Sequence, residues 1–141
     1  MFRIYLSGGM KNITLEEANS YREYIKNDIL DEKDAYKYSV DIFNPCKAFN
    51  YEDENSYKSN RQVLAYEMYM LRTSDLVLVN FNDPSSLGTM AEISIAYDRN
   101  IPVIGINADN NELHDWQVEM CDVIFDSIDE AVSYVKEYYL W

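Results

Sequence analysis

Apolar positions along the chain alternate between short strand-like runs and longer stretches with helical spacing. Phe2-Arg3-Ile4-Tyr5-Leu6 reads as a first strand running into the small-residue turn Ser7-Gly8-Gly9. Thr14 with Glu17 three residues on forms a capping box, after which Ala18, Tyr21, Ile25 and Ile29 recur on one helical face. Lys37 to Phe43 reads as a second strand stopped by Asn44-Pro45. Residues 47–60 form a polar, Tyr- and Asn-rich loop, long enough to be either functional or mobile. A second helix is predicted over Arg61 to Thr73 with Leu64, Met68 and Leu71 inward, followed by the clearest buried strand, Asp75-Leu76-Val77-Leu78-Val79-Asn80. A third helix is expected from Leu87 to Arg99. Ile101-Pro102-Val103-Ile104-Gly105-Ile106 is the fourth strand, its proline near the start where a missing N–H is tolerated. A short helix around Glu112 to Met120, a strand Val123-Ile124-Phe125 and a last helix capped by Ser127 and Glu130 complete the series, with Ile128, Val132, Val135 and Tyr139 facing the core.

Strands alternating with helices in this way argue for one parallel α/β sheet with five strands and helices on both faces, a single domain over residues 1–141. In such sheets ligands bind beyond the carboxyl ends of the strands. Gly8, Gly9, Gly88 and Gly105 are all expected in, or at the end of, strand-to-helix connections on that edge, either as tight-turn residues or as points of close approach to a ligand. Glu92 lies about two turns into the third helix, near the same edge. The positive helix end and the hydroxyls of Ser86 and Thr89 would favour its ionised form, which a carboxylate nucleophile requires. Position alone leaves it an ordinary solvent-facing acid.

Composition removes several classes of function. With 12 Lys plus Arg against 25 Asp plus Glu, the formal charge of -13 repels a phosphate polymer, so DNA and RNA strands are not expected partners. A single phosphate can still be held by local backbone N–H groups and one or two cations. The opening residues carry no charged leader followed by an apolar core, and the two cysteines, Cys46 and Cys121, read as buried hydrophobes, so a cytoplasmic location is expected. No apolar run approaches the roughly 18 residues that span a bilayer. One histidine, His114, and no Cys-x-x-Cys pair leave no ordinary zinc site, and no cofactor is implied. Neither Gly-x-x-x-x-Gly-Lys nor Gly-x-Gly-x-x-Gly occurs, which disfavours kinase and dinucleotide chemistry.

Three segments in the same order, Arg3-Ile4-Tyr5-Leu6-Ser7-Gly8-Gly9-Met10, Ser74-Asp75-Leu76-Val77-Leu78-Val79 and Ser86-Leu87-Gly88-Thr89-Met90-Ala91-Glu92, resemble the nucleoside 2-deoxyribosyltransferase family. The resemblance covers nearly the whole chain. It implies a flavodoxin-like (Rossmann-like) sheet and a retaining, two-step mechanism, in which Glu92 attacks the anomeric carbon and is then discharged by a second base or by water. It also implies an acid eight residues before Asp75, which here is Glu67 where the family has aspartate, and it matches Tyr5 to a tyrosine lining the sugar and nucleophile pocket.

The resemblance further implies substrate contacts from Ser7, Gly8, Gly9, Asn80, Gly88 and Thr89. Family members acting on free nucleosides carry an aspartate six residues before the nucleophile, where this chain has Ser86. Ser-Leu-Gly there resembles instead the branch that hydrolyses 2′-deoxynucleoside 5′-monophosphates. Lys11 would add a cation for a phosphate, whereas Asp83, three residues before Ser86, would supply the missing carboxylate. Asn111 to Trp116 resembles the family segment that enters a neighbouring subunit's pocket, placing His114 or Trp116 against a base or 5′ group in a homo-oligomer with shared sites. Small-molecule nucleosides or nucleotides and nucleobases are thus the implied partners. Three readings follow: base exchange between 2′-deoxynucleosides, hydrolysis of a deoxynucleoside monophosphate, and a non-catalytic nucleotide-binding module.

Overall fold

The computed structural model describes residues 1–49, 51, 53 and 59–141. Five parallel strands, β1 (Phe2–Gly8), β2 (Val40–Phe43), β3 (Leu76–Asn80), β4 (Val103–Ile106) and β5 (Val123–Phe125), form one sheet in the order β2-β1-β3-β4-β5. This is the flavodoxin-like order expected of the chain, with its switch point between β1 and β3. There Ser7 pairs with Val79 and Gly8 with Asn80. The helices are α1 (Leu15–Asp31), α2 (Pro45–Ala48), α3 (Asn60–Arg72), α4 (Leu87–Asp98), α5 (Asp115–Met120) and α6 (Ile128–Val135), the last running on into a π-helical turn over Lys136–Leu140.

Strand alternation divides the core into two layers. Ile4, Leu6, Leu76, Leu78, Ile104 and Ile106 pack with Ile25 and Ile29 of α1 and with Val132 and Val135 of α6. Tyr5, Val77, Val79 and Val103 face the other way, onto Met68 and Leu71 of α3 and Ile93 and Ala96 of α4. Side-chain oxygens cap the helices as their sequences suggest: Thr14 accepts from the Glu17 amide, Ser59 from Gln62, Ser86 from Thr89 and Ser127 from Glu130.

Four sequence expectations need correction. The second strand begins at Val40 rather than Lys37, because Lys37 donates its amide to Leu140 and Ser39 accepts from Phe2, so this stretch closes onto the chain end instead. Asn44-Pro45 stops the strand but also starts α2, with the Asn44 side chain capping Cys46 and proline at the first helical position. The remainder of the predicted loop at 47–60 falls largely on residues 50, 52 and 54–58, outside the described residues. Leu64 is 55% exposed rather than inward, since on the Met68 side of α3 it lines an open cavity instead of the core. Gly105 lies inside β4, not at a connection, and a Cβ there would come within 3.0 Å of Ile124, 3.1 Å of Phe81 and 3.3 Å of Cys121. Its smallness serves packing.

Candidate active site

The period of two that buries Tyr5 under α3 and α4 also turns Ser7 to that side, so the end of β1 offers two hydroxyls where α3 carries Glu67 and α4 carries Glu92. Ser7 donates its hydroxyl to Glu92 Oε1 at 3.0 Å. Glu92 is only 8% exposed. The Tyr5 hydroxyl is fully buried and has no hydrogen bond of acceptable geometry, yet it lies close enough to Glu92 for each group to shift the other. Across the space Tyr51 donates to Glu67 Oε1 at 3.0 Å. A cavity of about 500 Å³ opens between these groups, with Gly8, Lys11, Glu67, Asp83, Ser86, Gly88, Thr89 and Glu92 among its lining.

Electrostatics in this pocket run against the expectation of an easily ionised nucleophile. Burial pushes the Glu92 carboxyl up to about 7, and the Glu67 charge adds to the rise, while the Tyr5 and Ser7 hydroxyls and the Arg22 guanidinium oppose it. The hydroxyls of Ser86 and Thr89 do not take part, because Thr89 donates to Ser86 at 3.1 Å. Burial also raises Glu67, against the opposing Tyr51 hydrogen bond and Arg22 charge. Tyr5 is driven well above the ordinary phenol range by burial and by the Glu92 and Glu67 charges. At the mouth, Ser85 and Asn12 donate to Asp83 and hold its carboxyl below the usual range. Asp83 therefore stays anionic there.

The sequence-derived candidates divide into three groups. Glu92, Glu67, Gly8, Lys11, Asp83, Ser86, Gly88 and Thr89 line the cavity, with Tyr5 and Ser7 buried beneath it. Gly9 and Asn80 do not line it; the Gly9 amide donates to the Asn82 side chain, and Asn80 ends β3 beside Gly8. His114 and Trp116 line an adjoining cavity of about 430 Å³, reached over the shared ridge Ser85-Ser86-Leu87. Within the chain His114 acts as the N-cap of α5, its Nδ1 accepting from the Trp116 amide in a capping box with Gln117. Gly88 differs from the other glycines in that nothing lies within 4 Å of where a Cβ would stand. Among the described residues no group of three His, Cys, Asp or Glu side chains comes together as a metal site.

One residue of the site escaped the sequence reading. Arg22, wholly buried, donates to the carbonyls of Leu6 at 3.3 Å, Gly8 at 3.0 Å and Ala18 at 2.6 Å, and reaches Cys46 Sγ at 3.5 Å. The signal was present. Arg22 lies four residues after Ala18 and three before Ile25, on the apolar stripe of α1, where a charge needs a reason.

Comparison with known proteins agrees with this fold. In structure the chain is similar to a conserved protein from Enterococcus faecalis V583, with a TM-score of 0.77 and 18% identity over 97% of this chain and 98% of the other. It is also similar to a 2-deoxyribosyltransferase from Bacillus psychrosaccharolyticus, with a TM-score of 0.72 and 16% identity over 94% and 91% of the two chains. A CMP N-glycosidase from Clostridium botulinum gives a TM-score of 0.62 and 18% identity over 96% and 98%. At such identities these structures speak for the fold. None of the curated proteins is matched by the sequence. The family model for nucleoside 2-deoxyribosyltransferase, however, matches residues 4–130, a span that includes Tyr5, Glu67 and Glu92, and the chain belongs to that family.

Proposed function

We propose that the protein transfers the deoxyribosyl group of a 2′-deoxyribonucleoside to another nucleobase through a covalent intermediate on Glu92. Family membership makes it an enzyme of the N-glycosidic bond; the nucleophile and the acceptor are the finer part of the reading. One observation carries it. The Glu92 carboxyl is held by Ser7 in a cavity that a second carboxyl, Glu67, also lines.

In the first step a Glu92 oxygen bonds to the anomeric carbon, the bond to the base breaks, and the base nitrogen keeps the electron pair and takes a proton from Glu67. In the second step a new base attacks the same carbon, gives its proton to the Glu67 carboxylate and releases Glu92. The oxocarbenium-like transition state is stabilised by the Glu92 charge, which burial of that side chain leaves weakly screened.

A second reading, hydrolysis of a 2′-deoxynucleoside 5′-monophosphate, is favoured by the start of α4, where the open space at Gly88 and the nearby Lys11 suit a phosphate. Asp83 favours the first, since an anionic carboxylate in the lining repels a phosphate and accepts a 5′ hydroxyl. Incubation with deoxynucleosides or their monophosphates, with and without a second base, separates the two. New nucleoside that forms only with an acceptor supports transfer; free base from monophosphates without one supports hydrolysis. Full activity in Glu92→Ala would sink the covalent mechanism under either reading, whereas a parent that forms no product from either substrate would leave a nucleotide-binding role for the cavity.

A further inference from the structure

We propose that Arg22 is a positioning residue of this site, clamping the backbone on either side of Ser7 so that the Ser7 hydroxyl holds Glu92, and setting a buried positive charge beside the two carboxyls. The clamp is visible in three successive carbonyls at the end of β1. Arg22 Nε donates to Leu6 and Nη2 to Gly8, while the neighbouring Tyr21 hydroxyl reaches the Ser7 carbonyl at 3.5 Å. Ser7, fixed between them, donates to Glu92. Arg22 Nη1 ties the assembly back to Ala18 of its own helix and across to Cys46 of α2.

A guanidinium with no exposed surface is expensive to bury, and burial of this kind is ordinarily balanced by a carboxylate in direct contact. The described ion pairs include none with Arg22, whose hydrogen-bond partners are carbonyls and a sulfur. Its charge is felt instead by the groups that face it from every surrounding element: Tyr5 on β1, Tyr21 on α1, Cys46 on α2, Glu67 on α3 and Glu92 on α4. Glu23 bears on Cys46 from α1 as well. Arginine suits both tasks, because its planar fork can hold two carbonyls at once and its charge does not titrate in proteins. With Lys11 and Asp83 offsetting each other in the lining, the Arg22 charge balances the two inner carboxyls, Glu67 and Glu92, when a single one of them is ionised. That is the state in which one acts as nucleophile and the other still carries a proton to give.

The inference rests on Glu92 as the working carboxyl, so its test is made without substrate and stands apart from the test of the nucleophile. In protein labelled with ¹³C-glutamate, with signals assigned by Glu92→Gln and Glu67→Gln, the Glu92 carboxyl is expected to titrate measurably higher in Arg22→Met, from the lost charge together with the loosened Ser7 hydroxyl. Arg22→Lys restores the charge without the fork. It should return the titration only part of the way toward the parent's, because Ser7 is no longer fixed from both sides. An unchanged Glu92 titration in folded Arg22→Met overturns the proposal. If Arg22→Met does not fold, the guanidinium ¹⁵N signals of the parent decide: they should shift across the pH range in which Glu92 titrates and stay still in Glu92→Gln. Signals that ignore that range in the parent overturn the proposal equally. Loss of activity in Glu92→Gln is the separate measure of the nucleophile.

Discussion

Glu92 lies at the cavity floor with the Ser7 hydroxyl donating to it, and the burial that retains its proton makes its ionised form a source of instability. Folded chain holds that proton until about pH 7, against the 4.5 of an ordinary glutamate. Between those values the native state binds more protons than the unfolded one, so this group's contribution to stability falls as pH rises through the window. Glu92→Gln keeps the shape and an acceptor for Ser7 while removing the titration. We expect it to be more stable than the parent at pH 8 by up to about 3 kcal/mol, with the gap closing as pH falls to 4. Urea unfolding of both proteins across that range checks this; a gap that does not widen with pH contradicts a buried carboxylate. The parent's kcat/KM should fall tenfold per unit below about pH 7, as the carboxylate form is lost. Glu92 itself was legible only through its neighbours in sequence. Its spacing in α4 matches that of any surface acid, and what buries it is the end of β1, far away along the chain. For the same reason the donors were misjudged: Ser86 and Thr89 are near in sequence, Ser7 is near in space.

Glycines show how far an element's role can be read from its pattern. Gly8, Gly88 and Gly105 look alike as small residues beside strands, yet a Cβ at Gly8 would fall on the Tyr21 hydroxyl, one at Gly105 would press on three side chains, and one at Gly88 would meet nothing. Gly88 lies in the first turn of α4, where alanine is the better helix former by roughly 0.5–1 kcal/mol in a helix interior. Gly88→Ala should therefore leave the protein as stable as the parent or up to about 1 kcal/mol more so, while raising KM, because the methyl stands in the cavity where substrate approaches the helix start. Gly105→Ala should do the reverse, costing about 1–3 kcal/mol with KM unchanged. Thermal melts and steady-state kinetics on the two variants give the comparison, and a Gly88→Ala enzyme with parental KM would remove the helix start from the substrate site. The strands and long helices were legible because each repeats its period over several residues. The start of β2, the four residues of α2 and the outward turn of Leu64 were not, since each depends on contacts with distant segments.

At the scale of the whole molecule, alternation makes a parallel sheet with helices on both faces legible, because parallel neighbours require crossovers, but more than one strand order satisfies right-handed crossovers, and β2-β1-β3-β4-β5 was implied only by the family resemblance. What one chain does not explain is the apolar ground beside its cavity. Leu87 is 87% exposed and Trp116 68% exposed, and together with Pro84 and Met90 they line the adjoining cavity across the ridge at Ser85 to Leu87. Large exposed apolar side chains gathered in one place are characteristic of an interaction surface. With a formal charge of -13, two copies repel at long range, so any self-association must be driven by apolar contact of this kind. We therefore propose that copies of the chain associate through this face, bringing apolar surface from one to the rim of the other's cavity. Trp116→Arg and Leu87→Arg, each adding a charge at an exposed position, should shift the protein toward monomer in sedimentation velocity without lowering its melting temperature at concentrations where the parent is already dissociated. Their KM should rise more than their kcat falls, since Glu92, Glu67 and Tyr5 stay in place within each chain. A parent that sediments as a fully active monomer, or variants that stay associated, would instead make this face a surface for substrate alone.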